Sequence, residues 1–262
     1  MKRFEKIMYK VSVNELLEKP SGARSSFEEN GFVHIANVYS ESSCKEAIEH
    51  IKEMEKNLLE SNNVQLVTEK VDNKNLVKYF QGIYSQSPAL RCFFSYRLMA
   101  IASILLKSDD IYFADIEAHI RNPGGSKIPR HQDNFYFNLV EAKGLTAYIA
   151  LSDHSKYSGG LNYKIGSHKR VVKHILSDVK GFSSYIPADS DEYTDLQGGI
   201  YSPSYRIGDV TIHHPNNIHW SEANPVGSSR GYAISVRVFD SNEKVDPAGL
   251  ERYKRLLAAN RE

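Results

Sequence analysis

The spacing of apolar and polar positions changes once along this chain, near residue 111. Before it, Cys44, Ala47, Ile48, Ile51, Met54 and Leu58 recur at steps of three and four, which predicts an amphipathic helix over 42–60 capped by Ser42 or Ser43. Pro88 opens a second predicted helix that runs through Leu90, Phe94, Leu98, Ile101 and Leu105. Residues 12–19 read as a short helix ended by Pro20 and Gly22, and 27–35 as a helix end, a glycine stop and a short strand. From Ile111 the period becomes two. Residues 111–120 form a long predicted strand ended by Asn122-Pro123-Gly124-Gly125, and 144–151 one buried on both faces. A turn, strand and turn follow over 159–169, then a strand over 208–214 turned by Pro215-Asn216-Asn217, and a last strand over 231–239. Residues 177–204 have little periodicity and read as a lid or surface loop, and an amphipathic helix from about Pro247 to Ala259 closes the chain.

Helices first and many short strands afterwards predict a mainly β fold, a barrel or jelly roll with an N-terminal helical buttress. No strand–helix–strand alternation is present, which excludes a doubly wound parallel sheet. A single domain accounts for all of 1–262, with a mainly helical part at 1–110, a β core at 111–240 and a C-terminal helix in 241–262.

Composition removes several function classes. The 33 basic and 32 acidic residues leave a formal charge of +1, so no field points to nucleic acid or an anionic membrane as partner. No apolar stretch is long enough to span a bilayer, and the start of the chain has no secretory apolar region. Cys44 and Cys92 stand far apart without a Cys-x-x-Cys pairing, so a reducing, cytoplasmic location is expected.

The candidate chemistry centres on residues 129–137, Pro-Arg-His-Gln-Asp-Asn-Phe-Tyr-Phe. His131 and Asp133 are two apart, and on a strand such residues share a face and reach one point. An imidazole nitrogen and a carboxylate oxygen there suit a divalent metal, and a second histidine completes a two-histidine-one-carboxylate set with open positions. Spacing alone leaves His213, His214 and His219 open as that histidine.

Four blocks in order carry a resemblance: His131-Gln132-Asp133; 147–151 followed by Ser158-Gly159-Gly160-Leu161; Ile165-Gly166-Ser167-His168-Lys169; and Gly208-Asp209-Val210 through His219, Ser221 and Asn224 to Arg230. Over roughly 111–239 the chain resembles the phytanoyl-CoA dioxygenase family of iron(II)- and 2-oxoglutarate-dependent oxygenases. That resemblance implies a double-stranded β-helix core, cupin-like in form. It implies His131, Asp133 and His219 as iron ligands, and 2-oxoglutarate and dioxygen as cosubstrates. Arg230 resembles the arginine on the far carboxylate of 2-oxoglutarate, with Ser221 beside it and Tyr148 and Lys78 near the cosubstrate; a guanidinium fork suits a carboxylate. The implied reaction is oxidation, most simply hydroxylation, of a C–H bond in a small natural-product or amino-acid-derived molecule, with release of succinate and carbon dioxide. The metal carboxylate Asp133 argues against halogenation.

Asn134, Phe135 and Trp220 flank the ligands and are the expected substrate contacts, with Tyr136 at the pocket mouth. Arg237, seven positions after Arg230, faces the other way and is expected to be solvated or ion-paired. Arg121 is expected to pair with a surface acid in preference to meeting an anionic group on a substrate, His168 to fix a turn, and Glu117 and His119 to face either pocket or solvent. A cupin-like binding module and a zinc hydrolase are the competing classes.

Overall fold

The structure, a computed structural model, describes residues 10–60, 66–83, 87–177, 179 and 181–259. The N-terminal part opens with β1 (Lys10–Ser12), α1 (Val13–Glu18), α2 (Pro20–Asn30), β2 (Phe32–Ala36) and α3 (Glu41–Glu60). A hairpin of β3 (Leu66–Val71) and β4 (Lys74–Phe80) precedes α4 (Tyr96–Leu106). There follow β5 (Ile111–Arg121), β6 (Ile128–His131), α5 (Asn134–Phe137), β7 (Gly144–Ala150) and β8 (Leu161–Lys164). The chain then runs through β9 (Ile175–Leu176), β10 (Ser184–Tyr185), α6 (Asp191–Thr194), β11 (Ile200–Tyr201), β12 (Val210–His213), β13 (His219–Ser221), β14 (Gly231–Asp240) and α7 (Pro247–Ala259).

An eight-stranded sheet in the order β1-β2-β12-β7-β14-β5-β4-β3 faces a four-stranded sheet in the order β11-β8-β13-β6. All pairings are antiparallel except β1 with β2. Strand alternation divides the work of the large sheet. Ile116, Ala118, Ile120, Ala147, Ile149, Ile234 and Val236 point to one side and pack with Leu16, Phe27, Ile51, Leu98 and Ile101 of the helical layer. Tyr148, Ala150 and Ala233 point to the other side, against Ile128, Leu161 and Tyr163 of the small sheet. The interior between the two sheets is therefore the polar-lined one. Among the described residues no helix is long and apolar enough to cross a membrane.

Several expectations change in detail. Pro20 begins α2 instead of ending α1, since a first-turn residue needs no N–H for the helix. Gly31, at φ 86°, then stops α2 in the left-handed region, as the glycine stop predicts. The cap of α3 is Ser40, whose hydroxyl accepts from Ser43 N–H at 3.1 Å. The predicted helix from Pro88 is split. Pro88–Phe93 forms a tight 3₁₀ segment, and Ser95 starts α4 by accepting from Leu98 N–H. The part before residue 111 is less helical than expected, because β1 to β4 all join the large sheet. The hairpin escapes a hydrophobic reading because its inward positions include the buried ionisable residues Glu69 and Lys78.

Candidate metal centre and its cavity

His131 at the end of β6 lies directly across from His219 at the start of β13. Asp133 follows two residues later, where the chain leaves β6 and turns into α5. Ligand atoms of the three residues lie within 4.8 Å of one another, and all three side chains are buried. Each imidazole is oriented by its own backbone. His131 Nδ1–H donates to Pro129 O at 2.8 Å, and His219 Nδ1–H donates to Asn217 O at 3.0 Å. That fixes the tautomer and leaves both Nε2 lone pairs facing inward. They sit 3.5 and 3.7 Å from Asp133 Oδ1. Three electron-pair donors converging without a proton between them are a cation site, so these residues fit a divalent metal.

Asp133 is held from behind. Its Oδ2 accepts from Thr146 Oγ1 at 2.7 Å and from His213 Nε2 at 3.2 Å. Burial alone would raise this carboxyl, but His219, His131 and His213 around it hold it well below the usual carboxylate range. Burial pushes His219 well below the ordinary imidazole value, and its histidine neighbours add to this. The carboxylate is thus charged and His219 neutral, the states a metal needs. His213, one of the three histidines that spacing left open, therefore hydrogen-bonds the metal carboxylate while His219 joins the ligand set.

A cavity of about 870 Å³ opens onto this centre. Tyr79, Tyr136, Phe137, Phe182 and Tyr253 form an aromatic wall, and Glu117, His119, Ser235 and Arg237 a polar one. Arg237 is ion-paired to Asp115 at 2.9 Å and to Glu117, and its guanidinium lies 5.0 Å from the Phe137 ring centre. Glu117 and His119 thus face the pocket. Residues Ser177, Val179, Gly181, Phe182 and Ser183 of the 177–204 excursion also line it. Tyr148 reaches the cavity with its hydroxyl 3.1 Å from His154 Nε2. Ser221 is fully buried two residues beyond His219, and its Oγ accepts from Ile128 N–H at 3.4 Å. Lys78 is buried behind Phe182, with Nζ 5.3 Å from that ring.

Other expected residues lie elsewhere. Arg230 does not enter the barrel. It has the parity of Tyr232 and Ile234, which face the helical layer, and its guanidinium forks onto Glu55 of α3 while Nε donates to Asn122 Oδ1 at 2.8 Å. Arg230 and Arg237 do face opposite ways, but Arg237 is the inward one. Trp220 alternates with His219 and so points outward, stacked 4.7 Å from the Arg130 guanidinium. Phe135 leaves the cavity to stack on His174 at 4.2 Å. The Asn134 amide closes its own turn onto Leu139. Among the described residues Arg121 forms no ion pair with an acid, and at 4 % exposure it is buried rather than on the surface. His168 donates through Nε2 to Glu28 O of α2 at 3.0 Å, a contact across the fold that does not close its own turn. Phe182 and Tyr253 were not singled out from sequence; each lies in a segment whose pattern carries no sign of the cavity.

The phytanoyl-CoA dioxygenase (PhyH) family model matches residues 27–232, most of the chain. This chain belongs to the phytanoyl-CoA dioxygenase family. An ectoine dioxygenase from Sphingopyxis alaskensis is 24% identical over 267 residues, covering 93% of this chain and 84% of the relative. Among solved structures, EctD from S. alaskensis with 2-oxoglutarate and 5-hydroxyectoine matches with a TM-score of 0.72 at 17% identity, over 93% of this chain and 84% of that one. The epimerase SnoN, in complex with Fe³⁺, alpha-ketoglutarate and nogalamycin RO, matches at 0.71 and 18% identity, over 92% and 90%. The carbocyclase SnoK from nogalamycin biosynthesis matches at 0.68 and 24% identity, over 86% and 85%. These likenesses carry the fold, the mainly β jelly roll that the sequence pattern predicts. The family is one of dioxygenases.

Proposed function

We propose that the chain is an iron(II)- and 2-oxoglutarate-dependent dioxygenase that hydroxylates a C–H bond of a small molecule. The observation that carries this reading is the buried His131–Asp133–His219 set at the base of a cavity, with both Nε2 atoms presented by backbone-locked tautomers. His131, Asp133 and His219 would hold the iron, with Thr146 and His213 keeping the carboxylate oriented. The chemistry that iron(II) and 2-oxoglutarate supply is dioxygen activation coupled to decarboxylation, giving succinate, carbon dioxide and an oxidised substrate carbon.

The protein's own part is positioning. Tyr148 lines the cavity, Ser221 is buried two residues beyond His219, and Tyr136, Phe137 and Phe182 give the cavity aromatic faces, so a substrate packs on the rings and the cosubstrate lies toward Tyr148 and Ser221. The polar wall of Glu117, His119, Ser235 and Arg237 gives an incoming molecule both an acidic and a basic partner. That pairing, with the aromatic wall, favours a compact molecule carrying its own charged or hydroxyl groups, natural-product or amino-acid-derived in type. A wholly apolar substrate would bury that ion pair further while giving it no added partner. The related enzymes include a dioxygenase, an epimerase and a carbocyclase, so the outcome on the substrate carbon is set by how these walls hold it.

The test is an anaerobic titration of the metal-free protein with iron(II) and then 2-oxoglutarate, followed in the visible region. A weak charge-transfer band in the parent and in Phe135→Leu, absent from His219→Ala, is the expected result. A folded, iron-loaded parent without a band would return the chain to the binding-module class, and tight zinc retention without a band would point to a hydrolase.

A further inference from the structure

The deep end of the barrel holds more positive charge than it balances. Arg121 is the last residue of β5 and shares its inward face with Glu117 and His119, both of which line the cavity. It is 4 % exposed, yet among the described residues no carboxylate forms an ion pair with it. Its Nη2 donates to Glu222 O at 2.9 Å and Ser126 O at 3.3 Å, while its buried Nε has no hydrogen-bond partner. Lys78, 2 % exposed, lies close by, with Nζ donating to Ser126 Oγ at 2.7 Å. The nearby acid is Glu69, 4.0 Å from Lys78 Nζ. Its oxygens already accept from Ser126 N–H, Ser126 Oγ and Asn122 Nδ2. Burial, opposed by Glu69 and reinforced by Arg121, brings the Lys78 ammonium down to about 8. Two buried cations face one saturated carboxylate, and a buried charge without a partner is costly.

The surroundings are cut to the shape of Arg121. Gly231 is its cross-strand partner on β14, and a Cβ there would lie 3.2 Å from Arg121 Cβ. Gly159, at φ +78°, abuts the guanidinium, and a Cβ there would lie 2.9 Å from Nε. The chain connects the cluster to the cavity at two points. Glu222, which accepts from Arg121, follows Ser221, and Leu161, two residues past Gly159, lines the cavity. Arg230, by contrast, is spent on Glu55 in the helical layer.

We propose that Arg121, with Lys78 beside it, holds the remote carboxylate of 2-oxoglutarate, the role expected of Arg230. This rests on the oxygenase reading above. The carboxylate supplies the missing negative charge and an acceptor for the free Nε–H, and Gly231 leaves the room that lets an arginine from β5 fill the place beside the start of β14. The positive pair also sets the cosubstrate's direction, with its chelating end at the triad and its remote end toward Ser221 and the 155–160 turn.

The test uses nickel(II) in place of iron, with calorimetric titration of two ligands, 2-oxoglutarate and 2-oxobutanoate. Both chelate through the same end, and only the first has a remote carboxylate. In the parent, 2-oxoglutarate should bind at least about 30-fold more tightly, the scale of a charge-assisted hydrogen-bonded contact. Arg121→Met should collapse that ratio toward one with nickel affinity and 2-oxobutanoate affinity unchanged, and Arg230→Met should preserve it. A ratio preserved in Arg121→Met, or collapsed in Arg230→Met, overturns the assignment while leaving the oxygenase reading intact. A nickel-loaded parent that binds neither ligand overturns both. Should Arg121→Met fail to fold by circular dichroism, Arg121→Lys decides. It keeps the charge and loses the planar fork, so a fall of about tenfold in the ratio supports the assignment and an unchanged ratio overturns it.

Discussion

The two faces of the large sheet are made from the same strands and do opposite things. On β7, Ala147 and Ile149 point into the helical layer, and Thr146 and Tyr148 point into the barrel. On β14, Ile234 and Val236 face the helices, and Ser235 and Arg237 face the cavity. One face is apolar, interchangeable in chemistry and sensitive to volume. The other is a chain of specific partners, Thr146 to Asp133, Arg237 to Glu117 and Asp115, Tyr148 to His154. A shift of one residue moves a side chain from the first regime to the second. Arg230 and its neighbour Gly231 show how much hangs on that single step.

The largest effects should come from the barrel face. His219→Ala or Asp133→Ala should abolish stable metal binding, read by metal content and chelator competition. Thr146→Val or His213→Phe should weaken the metal by about ten- to a hundredfold, since they only steady the Asp133 carboxylate. If His213→Phe removed the metal altogether, His213 would be a ligand and the division between holding and steadying would fall.

The same strand offers the complementary break. Ile149→Ala, one face away from Tyr148, should cost about 2–5 kcal/mol in urea unfolding, because Ile149 is fully buried among β-sheet and helix side chains. Metal affinity of the folded fraction should stay at the parent value. Thr146→Val should show the reverse, a loss of metal with a smaller loss of stability. Equal losses of both properties in the two variants would mean that the faces are not independent.

Buried histidines on the barrel face, His119 and His154, and outside it, His174 and His214, should also set the response to acid. Burial lowers His119, His154 and His214 to about 4 and His174 to about 3, so each is neutral in the folded protein. His154 illustrates the tautomer, with Nδ1–H donating to Ser152 O and Nε2 accepting from the Tyr148 hydroxyl. The unfolded chain takes up these protons near pH 6.5 and the folded one only much lower. Stability is therefore fully present above about pH 6.5 and is lost as pH falls toward the folded values, by about 1.4 kcal/mol per pH unit for each such histidine. Metal-free His154→Gln should lose about one such increment from the slope of unfolding free energy against pH between 6 and 4.5. An unchanged slope would show that His154 is already charged in the fold.

How much of this was readable from the chain follows from the same division. The apolar face was readable, because Ile111 to Ile120 and Gly144 to Leu151 carry their hydrophobic signal plainly, and strands β5, β7, β12 and β14 lie close to the predicted spans. The convergence of His131, Asp133 and His219 needed the resemblance to pick one histidine of three, and the cross-strand register of β6 with β13 then gives it a geometry. The barrel's outlying parts were hidden. The β3–β4 hairpin buries Glu69 and Lys78, and burial of charge removes the pattern by which a strand is recognised. The sequence favours a surface acid over an anionic substrate group as the partner of Arg121, since nothing in a linear sequence says that a cation before a Pro-Gly-Gly turn has its guanidinium inside.

The smallest effect expected is the one that tests parity most directly. Trp220 is the chain's single tryptophan and follows a metal-binding histidine, so proximity in sequence would make it a substrate contact. Its indole instead packs with Val172, Ile186 and Ile218 on the outer side of the small sheet, with Nε1–H donating to Glu222 Oε1 at 3.1 Å. Trp220→Phe keeps most of that packing and loses one hydrogen bond at the rim. Affinities for metal and for 2-oxoglutarate should stay within about twofold of the parent, as for changes away from functional contacts. Phe182→Ala, far away in sequence and inside the cavity, should alter the binding of whatever substrate is found by much more. If Trp220→Phe were the more damaging of the two for binding, strand alternation would be the wrong guide to this cavity, and the inward assignments of Arg121 and Arg237 would lose their footing with it.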